Sequence, residues 1–252
     1  MPLTDPLVLL LLLAGPAAGS FVAVLADRLP RGEDVLARPS ACRSCGARLR
    51  PADMIPVLSF AVARGRCRKC GAAIPPWTLY SELAAAGLAV LAVLAGGPAA
   101  WIWATALMLW LLLALALCDL MWFRLPDALT AALLAVALWR ATMPPGPGLW
   151  MAVSGAVVGC VALGLVRLGY ARLRKREGMG LGDVKMMAGL GAFAGPWLLP
   201  HLMLVAALSG LVLAFVGQRF TRRPLSSKTR LPFGTALAFA AGMVWLATTP
   251  VF

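Results

Sequence analysis

The chain contains one histidine, His201, and only ten acidic residues against 23 lysines and arginines. A zinc protease of the H-E-x-x-H type needs two histidines on one helix, so that chemistry has no ligands here. Charge of either sign is scarce: 13% of the residues are charged and 61% are hydrophobic, which excludes an ordinary soluble domain of 252 residues and places the chain in a bilayer. No internal repeat is evident, and repeated halves are what an ion-coupled transporter would predict. The first apolar run, "MPLTDPLVLLLLLAGPAAGSF", lacks a basic n-region and is followed by dense positive charge, so it reads as a retained helix rather than a cleaved signal.

What the chain has instead is a series of uncharged runs: Pro6 to Ala26, Leu83 to Cys118, Ala128 to Trp139, Leu149 to Val166, Met186 to Val216 and Leu231 to Phe252. A spanning helix needs roughly 20 residues. The run from Leu83 is broken at Gly96-Gly97-Pro98, and the run from Met186 contains Gly195-Pro196 and Pro200, so each reads as a helical hairpin. The expected fold is therefore an all-α polytopic membrane protein with about eight transmembrane helices, the fourth being short.

The net charge of +13 does not point to nucleic acid, because the basic residues cluster in connections between apolar runs. Residues 27–78 hold ten, Arg167 to Lys185 hold six and residues 218–230 hold five; Arg124 joins them, and Arg140 alone falls on the other side. The positive-inside rule then puts 22 of 23 in the cytosol and both termini outside. The expected organisation is a first transmembrane helix over 1–26, a cytosolic loop domain over 27–78 and a seven-helix membrane domain over 79–252.

That loop carries C-x2-C, 21 residues, then C-x2-C: Cys42, Cys45, Cys67 and Cys70. Two residues between cysteines let both thiolates of a knuckle reach one ion, and two knuckles close a tetrahedral structural zinc site with no open position for catalysis. Disulfides are the alternative, disfavoured in a reducing cytosol. Cys118 and Cys160 are lone thiols in apolar runs and read as packing residues.

An ionised aspartate at a helix centre costs about 2.5–3.5 kcal/mol even on the insertion scale, so each acidic residue near the membrane needs a reason. Span three runs inward and ends at Asp119 in "LCDLMWFRLPDAL"; the basic loop ending "EGMGLGDVK" places Asp183 at the start of span six, at the same cytosolic rim. Gly178, Gly180 and Gly182 permit backbone that other residues cannot adopt, as suits a loop lining a watery site. Two close carboxylates would share a proton, one taking a proton from water and the other polarising a peptide carbonyl. The alternatives are that both aspartates merely cap helices or mark membrane boundaries, the reading also open for Asp27 and Asp127, or that they form an ion path through a transporter. A Ser or Cys hydrolase is disfavoured because His201 falls at the opposite face. Lys185 would tune Asp183, bind lipid phosphate or simply flank the membrane.

With "GSFVAVLADRLPRGE", the paired cysteine knuckles flanking "MIPVLSF", Asp119 with "RLPD", "EGMGLGDVK" and "LPFG" in this order, nearly the whole chain resembles the type IV prepilin peptidases, membrane aspartic proteases of the bacterial inner membrane with a G-x-G-D motif. The resemblance implies Asp119 and Asp183 as the catalytic pair, with Gly180, Gly182 and Lys185 in the active-site loop. It implies prepilins or pseudopilins of type IV pilus and type II secretion systems as substrates, their basic leader being removed before an apolar helix. It also implies N-methylation of the new terminus with S-adenosylmethionine, supported by the cysteine loop and by Gly65 and Glu82. Two departures bear on methylation and not on cleavage: Ala23 stands where asparagine is usual, and Thr78-Leu79-Tyr80-Ser81-Glu82 replaces a Tyr-Pro-containing segment. A peptidase without methyltransferase activity is the resulting alternative. Oligomeric state is not indicated.

Overall fold

The computed structural model describes residues 5–175, 178–221 and 231–249. Arg176 and Glu177 of the glycine-bearing loop, and the basic residues of 222–230, lie outside them. Among the described residues there is no β-strand, and eight α-helices follow in order: α1 (Pro6–Arg28), α2 (Leu58–Val62), α3 (Pro76–Leu94), α4 (Ala99–Trp122), α5 (Asp127–Ala141), α6 (Leu149–Arg174), α7 (Leu181–Thr221) and α8 (Phe233–Thr248). Five of them, α1, α3, α4, α6 and α7, are long and apolar enough to cross a membrane, and α8 is a shorter apolar helix. The chain is thus an all-α polytopic membrane protein, and its contacts divide it within α4 into a first unit, Met1–Ala106, and a second, Leu107–Phe252.

The break expected at Gly96-Gly97-Pro98 falls between α3 and α4, where both glycines take positive φ. In α7 the helix is interrupted at Gly195, with φ 70° and ψ 169°, a conformation open to glycine and little else. Pro196 follows and cannot donate its missing N–H to the preceding turn. The chain reverses there. A methyl group on Gly159 of α6 would meet Met187 Cγ at 3.1 Å and Leu199 Cδ2 at 3.3 Å. In a straight helix those two residues would stand about 18 Å apart. With α7 counted as two arms, α5 and α8 complete the expected set of about eight apolar segments.

Small residues draw the helices together, as they do where lipid offers no hydrophobic drive between them. In the first unit a methyl on Gly15 of α1 would lie 3.0 Å from Ala86 Cα, and one on Gly19 only 2.5 Å from Glu82 Cα. In the second, Gly155 of α6 and Gly191 of α7 touch backbone to backbone. This crossing fixes the first arm of α7, and with it the residue that opens the arm, Asp183.

Candidate active site and metal centre

The four loop cysteines converge. Their Sγ atoms all lie within 4.8 Å of one another, and Cys42 Sγ stands 3.9 Å from Cys70 Sγ, close to the roughly 3.8 Å between thiolates that tetrahedral bonds of about 2.3 Å dictate. The two halves, "CRSCGAR" and "CRKCGAA", fold alike. Cys42 N–H donates to Ala47 O and Cys67 N–H to Ala72 O; Gly46 and Gly71 take φ near 70° and donate back to the first cysteine carbonyl of each knuckle. The backbone N–H groups of Cys45 and Ser44 hold the Cys42 thiol down at about 6. Cys70 is pushed up to about 11 because its bond from Ala72 N–H is outweighed by the crowding thiols of Cys45, Cys67 and Cys42 and by burial. Four thiols this close become four thiolates only around a cation. The donor set fits a metal ion.

The second position of each knuckle is an arginine, and each is anchored outside the cluster. Arg43 pairs with Asp27 at 2.9 Å and lies over the Trp77 ring at 5.5 Å, while Arg68 pairs with Asp53 at 3.1 Å. Glu82, in α3, accepts a 2.7 Å bond from the N–H of Val57, a non-glycine residue held at φ 62°. Gly65 turns at φ 65° against the Phe60 ring. Both residues therefore serve the architecture of the cysteine loop.

In the second unit Asp119 and Asp183 are 94% and 93% buried, among the few buried polar residues described. Asp119, in the last turn of α4, reaches the start of a helix over a hundred residues later. Its Oδ2 accepts from Thr235 N–H at 2.8 Å and from Thr235 Oγ1 at 3.2 Å, and its carboxylate also accepts the Gly234 N–H. Pro232, the residue before α8, offers no side-chain cap, so an aspartate from another helix takes that role. Asp183 sits three residues past Gly180 and accepts its N–H, which is half of a capping box. The Asp119 carboxylate is the charged group that acts electrostatically on Asp183. Both aspartates thus cap helix starts, as one sequence alternative held, and they are also neighbours. Two helix N-termini, each with a partial positive charge, face the pair and offset the repulsion of a second carboxylate.

Lys185 is directed elsewhere: its Nζ bonds Asp127 Oδ1 at 2.7 Å, tying α7 to the first residue of α5. Gly182 backs onto Leu125, where a methyl would approach Leu125 Cβ to 2.9 Å. The residues that sequence reasoning left out of the site are Leu125, Gly234 and Thr235. Their signals were the "RLPD" and "LPFG" segments, in which a proline precedes a helix start.

A helical membrane protein with a carboxylate pair at two helix N-termini and a separate four-cysteine cluster is the class these observations define. The chain belongs to the type IV leader peptidase family. The model of that family matches residues 106–215, and that of the bacterial peptidase A24 N-terminal domain matches residues 13–95. Similar curated proteins include the prepilin leader peptidase/N-methyltransferases of Dichelobacter nodosus, 34% identical over 84% of this chain and 72% of the relative, and of Dickeya chrysanthemi, 35% identical over 93% and 90%. That of Pseudomonas aeruginosa is 33% identical over 98% of this chain and 94% of the relative. No solved structure matches.

Proposed function

We propose that this protein is an aspartic endopeptidase of the bacterial inner membrane that removes the basic leader from type IV prepilins or pseudopilins at the cytosolic face, and that it methylates the new N-terminus. The observation that carries the reading is that Asp119 at the end of α4 and Asp183 at the start of α7 are both buried, with the Asp119 charge acting on Asp183 and Leu125 packed against the segments that hold them. Thr235 and Gly234 hold the Asp119 carboxylate in place at the start of α8. One carboxylate takes a proton from water as the oxygen attacks the scissile carbonyl carbon and the other gives its proton to the carbonyl oxygen; as the C–N bond breaks, the first passes its proton to the leaving amine and the second takes one back from the gem-diol. Gly180, whose Cβ position meets no packed neighbour closer than Asp183 Oδ2 at 3.5 Å, leaves room beside that carboxylate for an extended peptide, while Gly182 lets Leu125 pack close on the other side. Lys185 takes no part in the chemistry, its ammonium being paired with exposed Asp127. The test is mass spectrometry of a prepilin expressed with the full chain, which reports loss of the leader and any added methyl together. An unprocessed prepilin beside well-inserted protein would overturn the reading.

The basic connections favour a topology with the loops in the cytosol and both termini outside. Zinc is the metal the four thiolates suit best, held by Cys42, Cys45, Cys67 and Cys70 as a closed structural site that orders the loop. Purified protein is expected to carry about one zinc per chain, and Cys67→Ser to lose most of it; metal analysis of protein kept reduced checks this. Disulfides mapped among these cysteines would contradict it.

For methylation, S-adenosylmethionine supplies the methyl group. Ala23 is buried in α1, whereas Thr78, half-buried in the first turn of α3, donates its hydroxyl to Pro75 O at 2.8 Å and Tyr80 is exposed. Mature substrate is expected to gain about 14 Da, one CH2, when the donor is present, and Cys67→Ser to reduce that gain through loss of loop order. Cleaved but always unmethylated substrate would mark a peptidase alone.

A further inference from the structure

Two glycines stand next to the two aspartates, and one side chain touches both. Gly182 immediately precedes Asp183, and Gly234 gives its N–H to Asp119. A methyl at Gly182 would come within 2.9 Å of Leu125 Cβ and 3.4 Å of its Cδ1. A methyl at Gly234 would come within 3.0 Å of both Leu125 δ carbons and 3.1 Å of Asp119 Cγ. Leu125 therefore lies between the start of α7 and the start of α8. It also occupies a restrained point of the chain: Pro126 follows it and biases it to extended backbone, and Pro126 is the residue from which α5 begins. Pinned by its own backbone and flanked by two side-chain-free surfaces, this leucine cannot move without moving an aspartate-bearing or aspartate-binding segment. Because neither glycine has a Cβ, contact is made to main chain, which yields less readily than a flexible side chain.

We infer that Leu125 is a positioning residue, a spacer between Gly182 and Gly234 that sets the separation of the Asp183 and Asp119 carboxylates. The inference rests on the proposed reading of the dyad. Trimming Leu125 to its Cβ keeps the atom nearest Gly182 but removes the δ carbons that meet Gly234, so the start of α8 can drift towards that of α7, and a misplacement near 1 Å is enough to cost a reaction about a hundredfold in rate.

The experiment uses the full chain in detergent micelles with a purified type IV prepilin as probe, and separates kcat from KM. Leu125→Ala is expected to lower kcat roughly tenfold or more with KM little changed, since the spacer acts on the reacting groups and not on substrate capture. Leu125→Met, which refills the volume, is expected to recover most of that loss. Gly234→Ala is expected to be impaired by the crowding of Leu125 and Asp119, and Leu125→Ala introduced beside it to raise its activity, although the same change is harmful alone. Because the pair would also restore packing, thermal midpoints are read beside kcat: recovery of kcat beyond any recovery of the midpoint marks the spacer, and kcat that merely follows the midpoint overturns it. Should Leu125→Ala fail to insert, Leu125→Val carries the test: an intermediate kcat supports the spacer and a parental kcat overturns it. Asp119→Asn and Asp183→Asn are measured in parallel. If either still cleaves, the dyad reading fails; if both are inactive while Leu125→Ala keeps parental kcat, the spacer alone is overturned.

Discussion

Replacing either aspartate with asparagine is expected to stop cleavage while the protein still inserts and folds. The asparagine oxygen accepts the same N–H groups that the carboxylate accepts, from Gly234 and Thr235 at position 119 and from Gly180 at position 183, so each helix start keeps its cap. What the amide cannot do is take a proton from water or supply one to a carbonyl. A fall of at least roughly 10²–10⁴-fold follows for each single variant, the range of one general acid or base. The double variant should be hardly worse than either, because the two act as a unit. Asp127→Asn is the internal comparison: its carboxylate is 73% exposed and pairs with Lys185 in solvent, a contact worth at most about 1 kcal/mol, so most activity should remain. Robust cleavage of a prepilin by a well-inserted Asp183→Asn protein would end the mechanism; an inactive Asp127→Asn with an active Asp119→Asn would show that the partner was misassigned.

The parts of this arrangement that rest on length and spacing were legible in the sequence. Apolar runs of the right size, with Gly-Pro interruptions, gave the helices, the break between α3 and α4 and the reversal within α7, and the paired C-x2-C motifs gave the knuckles. That Asp119 and Asp183 would fall near one another followed from the expected alternation of helix direction alone. Capping was also legible as an option, but which helix each aspartate caps was not. Asp183 caps its own helix, a local relation; Asp119 caps α8, across 116 positions, and no periodicity in either segment encodes that pairing. The direction of Lys185 was lost for the same reason. It stands two residues from Asp183, yet on a helix neighbouring positions point apart, and its ammonium meets Asp127 on α5 instead. Glu82 illustrates the converse: a carboxylate in the first turns of α3 whose partner is one strained N–H in the cysteine loop, found only once the chain is folded.

Gly155→Ala is expected to destabilise the protein and to reduce cleavage with it. The added methyl would run into the carbonyl of Gly191 and come within 2.8 Å of Gly195 Cα, both main-chain atoms of α7 at or near its reversal. A flexible side chain would swing aside; two packed helices must separate along their length, and overpacking of this kind costs about 1–3 kcal/mol. The separation acts on the first arm of α7, which Asp183 opens, so the carboxylate should shift from Asp119 as the crossing loosens. Gly169→Ala in the same helix makes the contrast. Nothing lies within 4 Å of the position its methyl would take, and alanine favours a helix interior over glycine by about 0.8–1.0 kcal/mol. Thermal unfolding of the detergent-purified chain should therefore show a lower midpoint for Gly155→Ala and an unchanged or higher one for Gly169→Ala, with prepilin cleavage following the same order. Equal midpoints for the two variants would mean that α6 and α7 do not meet backbone to backbone at Gly155, and that Asp183 is held in place by its own loop and Leu125 rather than by that crossing.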